Sequence, residues 1–193
     1  MKNSKKKTEI DSLQGGLSMM IFFTILWIVI AEIVLDGLDH YRTWIVFGVI
    51  LLFFIYKYWQ LSSVKTHLRQ APEDVSDAAD EKKGKWFWII FVAEGFLILL
   101  IKNILLNTGH DNLFLPCFAL IVGLHFFPLG WVFNRKFDYF MGAWTTVIAI
   151  TGLLILIKGS FDARIVKGFV AIGSAVATTC YGFKMIYESS KIL

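Results

Sequence analysis

Long apolar runs separated by short polar breaks make up most of the chain. The first covers about residues 17–35 and follows Gly15 and Gly16, a pair that reads as a break. The others cover about 44–58, 86–106, 113–133, 139–157 and 165–186. A bilayer core of roughly 30 Å calls for about 20 apolar residues in a helix. The pattern therefore predicts an all-α fold, a polytopic membrane helix bundle with six transmembrane helices, as a single transmembrane domain over residues 1–193. Trp44 and Trp59 stand at the ends of the second run as interfacial anchors, and Trp86 and Trp88 open the third. Residues 61–85 form the long loop, a mixed-charge stretch read as a solvated connector, in which Pro72 suits the first turn of a short surface helix.

The polar breaks predict orientation. Termini, long loop and the break after the fourth run fall on one side. With the adjoining helix ends they hold 14 of the 19 Lys and Arg residues, Lys57, Arg135, Lys136 and Lys184 among them. The other side holds 5: Arg42, Lys102, Lys158, Arg164 and Lys167. The positive-inside rule then places both termini in the cytoplasm of a multi-pass cell-membrane protein.

Composition agrees and removes some alternatives. The chain has 193 residues, 56% hydrophobic, with mean hydropathy +0.63. Its 18% of charged residues falls below the roughly 25% of soluble domains and is clustered between apolar runs. The net charge of +4 comes with no basic stripe interleaved with aromatics, so no nucleic-acid partner is expected. The expected partner is the lipid bilayer, together with a second copy of the chain or another membrane protein. Met1–Lys7 is basic and precedes an apolar run, as in a signal peptide. That run is too long and lacks a small-residue cleavage site, so it reads as a retained first span. Cys117 and Cys180 are predicted at different depths, too far apart for a disulfide.

Helix association in lipid relies on close packing and polar contacts, because lipid tails are as apolar as leucine. The sixth run carries Gly168, Ala171, Gly173, Ser174, Ala175, Ala177 and Thr178; the fifth carries Gly142, Thr145, Thr146, Ala149 and Gly152 at three-to-four spacing. These two helices are expected to pack together or at the bundle centre. The first two runs are large and apolar all round, and are expected to face lipid. Pro128, inside the fourth run, should kink or open its helix.

Ionisable residues at membrane depth are functional candidates by default. Glu94 lies eight residues into the third run and His125 eight residues before the end of the fourth, each about 12 Å deep. Antiparallel neighbours would bring them together. Thr145, Thr146, Thr178 and Thr179 fall at similar depth, completing a polar layer that can titrate or bind a ligand. Glu32 and Lys102 match in depth near the opposite side and are expected to pair there. The short turns on that side hold Asp36, Asp39, His40, His110 and Asp111, residue types that ligate zinc, but at undiagnostic spacing. No metal or other cofactor is expected.

The segment from Ala119 to Leu129, ALIVGLHFFPL, resembles one found in uncharacterised bacterial multi-span membrane proteins. The resemblance implies a bacterial membrane origin and no particular activity. Neither a His-Glu-x-x-His zinc motif nor a Gly-x-Ser-x-Gly elbow, a P-loop or a Cys-x-x-Cys occurs. The favoured expectation is a small transporter or transport accessory centred on Glu94 and His125. The alternatives are a structural or immunity-type protein acting through partners, and a membrane enzyme acting on lipid.

Overall fold

A computed structural model describes residues 2–68 and 78–192. Its α-helices are α1 (Lys2–Leu35), α2 (Arg42–Leu68), α3 (Ala78–Asn107), α4 (Phe114–Phe133), α5 (Lys136–Lys158) and α6 (Ala163–Ser190), with a short 3-10 turn at Asp111–Leu113 before α4. All six are long and apolar enough to cross a membrane, so the fold is a membrane-embedded helix bundle. The helices outrun the apolar stretches that predicted them; α2 and α3 take up much of the expected loop. The surface helix expected at Pro72 lies outside the described residues.

The centre of the bundle differs from expectation. α6 is central, as its small residues predict, but its main partner is α1. Met185 packs over Gly16 at one end of this pair, Leu35 fills the space above Gly168 at the other, and the Thr24 and Thr178 hydroxyls meet at 2.8 Å between them. Large side chains on each helix occupy the volume that a glycine on the other leaves open, so α1 is a core helix and not a lipid-facing one. The same packing explains why Gly15 and Gly16 do not interrupt α1: each glycine costs about 1 kcal/mol in a helix, and burial of this helix outweighs it. Trp27 of α1 also stacks on Phe118 of α4, ring centroids 4.9 Å apart.

α6 meets the remaining helices on other faces. Phe54 of α2 packs on Gly182, Ile148 of α5 on Gly173, and the Trp144 indole donates to the Gly173 carbonyl at 3.0 Å. α3 is the outlier. Among the described residues it packs substantially only on α4 and the 3-10 turn, and 6% of its apolar stretch is buried against 61% for α6.

Local signals set the turns that position the site. α4 continues through Pro128, whose missing N–H leaves the Leu124 carbonyl without its helical donor. Asn134 then ends the helix in the left-handed region (φ 50°), and the Arg135 N–H returns to the Gly130 carbonyl at 3.0 Å, a Schellman closure. This tight reversal tucks the first turn of α5 beneath the end of α4.

Candidate functional site

Glu94 and His125 meet as their depths predict. Glu94 Oε1 of α3 lies 3.3 Å from His125 Nδ1 of α4, with the side chains 10% and 17% exposed. The contact is ionic in distance but off the hydrogen-bond axis, so His125 Nδ1 is buried without an aligned partner. The opposite face of the imidazole stacks on Phe126, centroids 4.4 Å apart.

The pair lines a cavity of about 370 Å³. Its walls are α1 on one side, from Ser12 to Trp27, and α3 on the other, from Phe87 to Ile98; α4 forms the floor. α1 and α3 make no substantial contact across it, so the cavity is a cleft open sideways between them. The expected site was built from α3 to α6. The structure brings α1 into the site as a full wall.

At the end of the cleft near the chain termini lie residues that the sequence pattern did not single out. Asp138, in the first turn of α5, is 2% exposed, and its carboxylate accepts a hydrogen bond from the hydroxyl of Tyr181 on α6. Arg135, Lys184 and His125 are the basic groups near Asp138. The Arg135 guanidinium stacks on the Phe133 ring at 4.8 Å and lines the cleft. Lys184 lies over the Tyr181 ring at 5.5 Å and pairs with Glu188 at 3.4 Å. Read in sequence, Asp138 belonged to a turn. The signal available was its position at the start of a helix, where an acid is favoured by the unsatisfied N–H groups.

Of the threonines expected in the polar layer, Thr178 lines the cavity. Thr145, Thr146 and Thr179 lie in helix contacts away from it, their hydroxyls without partners among the described residues. Thr146 is pressed against Gly123, where α4 and α5 come close together.

Glu32 and Lys102 are not brought together. Glu32 Oε1 accepts the Trp44 N–H at 3.3 Å, while Lys102 is exposed and makes no ion pair among the described residues. The reason is the start of α2, whose first N–H groups need acceptors: Glu32 takes one, and Asp39 takes those of Tyr41 (3.1 Å) and Thr43 (3.0 Å). Both carboxylates thus cap α2, across a turn in which Asp36, His40 and Tyr41 all have positive φ. Partial burial pushes the Asp39 carboxyl up, but the hydrogen bonds from Thr43 and Tyr41 outweigh it and hold the group below its ordinary value. His40, His110 and Asp111 are exposed, and among the described residues no three His, Cys, Asp or Glu side chains converge into a metal cluster. Cys117 and Cys180 are free thiols.

Chemically, the cleft offers an apolar body with a polar end built from two acids and two bases, open to the bilayer plane. No described protein family, curated protein or solved structure matches the chain, so the reading of this site rests on its own residues.

Proposed function

We propose that this chain is a small membrane transporter or transport accessory that binds its ligand in the cleft beside Glu94 and His125. The observation that supports the reading is the cavity itself: a purely structural Glu–His contact would be expected dry and closed, whereas this one borders about 370 Å³ of open space. That volume lies within the roughly 300–1,000 Å³ of small-molecule sites. His125 and its carboxylate neighbour supply polar groups at membrane depth that a ligand can contact. The basic residues clustered at the terminal side support an orientation with both termini in the cytoplasm of a cell membrane. The Ala119–Leu129 segment, which carries His125, supports a bacterial origin.

A second reading, a structural or immunity-type protein acting through a membrane partner, is favoured by one feature: α3, which packs on little besides α4.

Thermal unfolding of the purified chain across a panel of ions, lipids and small metabolites tests the first reading, in wild type and His125→Ala. A ligand that binds the native state raises its apparent stability. Stabilisation by one member in wild type and not in H125A is the expected result. Equal shifts in both, or none across the panel, would overturn the proposal.

A further inference from the structure

The cleft has a direction. Its end near the termini carries Ser12, Arg135 and Asp138; Glu94 and His125 stand partway along; beyond them the walls are Phe23, Leu26, Trp27, Ile98 and Phe118, all apolar. Along α1 the lining runs from Ser12 to Trp27, about 22 Å at helical rise, which exceeds the ~15 Å hydrocarbon depth of one leaflet. The cleft therefore follows the bilayer normal, polar at a membrane surface and apolar toward the middle, with a side opening between α1 and α3.

Size and charge narrow the occupant. A cavity of about 370 Å³ lies at the small end of the roughly 300–1,000 Å³ of small-molecule sites, which suits one chain and not two. Both acids on the cleft lining already face partners, Glu94 the imidazole of His125 and Asp138 the hydroxyl of Tyr181. Arg135 lines the cleft, stacks on the Phe133 ring and faces the Asp138 carboxylate without closing an ion pair among the described residues. The fixed cation on the cleft lining is Arg135, with the His125 imidazole further in.

We infer that the cleft binds a single-chain anionic amphiphile of the fatty-acid class, which enters sideways between α1 and α3. Its carboxylate sits between Arg135 and His125, and its chain lies along Phe23 and Trp27 toward Phe118. The inference rests on the proposed function, since it names the ligand of the same site.

The test uses the full chain in phosphatidylcholine vesicles and three nitroxide-labelled probes: a fatty acid, its methyl ester, and a two-chain phosphatidylcholine. Electron paramagnetic resonance reads the immobilised fraction of each. Gly95 lines the cleft, and a Cβ added there meets nothing within 4 Å, so Gly95→Leu starts in open space and extends along the cleft. The fatty acid is expected to be immobilised by wild type and lost in G95L, at an unchanged melting temperature. Arg135→Gln should weaken the acid by about tenfold, the loss of one charge-assisted hydrogen bond, and leave the ester unchanged. Immobilisation of the acid that survives G95L would overturn the inference. So would phosphatidylcholine held as firmly as the acid, which makes the occupant ordinary bilayer lipid, or an R135Q effect equal on acid and ester. If the inference fails in this way while the thermal panel still finds an H125A-sensitive ligand, the site reading stands and the amphiphile falls. A panel without such a ligand removes the site reading itself.

Discussion

The Tyr181 hydroxyl on α6 donates to the Asp138 carboxylate on α5, and both side chains are almost wholly buried. The bond ties the start of one helix to the end of another at the polar mouth of the cleft. Tyr181→Phe removes the donor and leaves a buried acceptor, at a cost of about 1–3 kcal/mol. Asp138→Asn with Y181F should cost less than the sum of the single changes, because the charge that needed the bond is gone. Unfolding in mixed detergent micelles measures all three. Stability unchanged in Y181F would mean that Arg135 or Lys184 serves the carboxylate alone.

At Gly123, α4 comes up against the backbone of α5. A Cβ there would stand 2.6 Å from Thr146 Oγ1 and 2.8 Å from the Thr146 backbone nitrogen. A side chain can rotate away, but backbone cannot, so Gly123→Ala must push α4 and α5 apart. Overpacking of this kind costs about 1–3 kcal/mol. Gly95→Ala, in open space on α3, should instead be neutral or gain up to about 1 kcal/mol from helix propensity. The two alanine variants should therefore move the unfolding midpoint in different directions, and a G123A midpoint at or above wild type would contradict the packing described.

How much of this was legible beforehand depended on which physical signal a residue carried. The spans were legible because length and apolarity are what a bilayer demands. The Glu94–His125 contact was legible because depth along two antiparallel neighbours follows from residue count alone. The role of α1 was not. In water a buried face announces itself by contrast with a polar one, but in lipid both faces of Trp27, Ile28 and Ala31 look alike. Only the small residues of α6 signalled a close partner, and they do not say which helix it is. Glu32 was misassigned for a related reason. Matching depth with Lys102 suggested a salt bridge, whereas the nearer demand came from uncapped N–H groups at the start of α2.

The cap on α2 carries a pH signature. Asp39 is held below its ordinary carboxyl value in the folded chain, the hydrogen bonds from Thr43 and Tyr41 outweighing partial burial. A depressed folded value means stability that is present above the unfolded value of about 3.9 and lost as pH falls below it through the folded value. Wild type should therefore exceed Asp39→Ala by about 1 kcal/mol at neutral pH, the usual worth of a helix cap. The gap should hold down to about pH 5 and shrink below about pH 4. Melting midpoints at a series of pH values in a non-ionic detergent check this. A gap that stays constant to pH 3 would show that the charge on Asp39 contributes nothing.

The pair at the centre of the cleft calls for a measurement that separates contact from coincidence. Glu94 and His125 approach to 3.3 Å, yet Nδ1 lies off the hydrogen-bond axis, so proximity alone does not establish an energetic link. A double-mutant cycle with Glu94→Gln and His125→Asn keeps the side chains similar in size and polarity while removing charge. Residues in direct contact couple by about 0.5–3 kcal/mol. A value in that range is expected from unfolding, because each partner is the nearest compensating group for the other in a low-dielectric setting. Since α3 is held mainly through α4, the loss should be felt as loosening of α3 before the rest of the bundle. Proteolysis near the start of α3 should then accelerate in both single variants and rise little further in the double. Independent, additive effects would mean that the two side chains share the cavity wall without acting on each other.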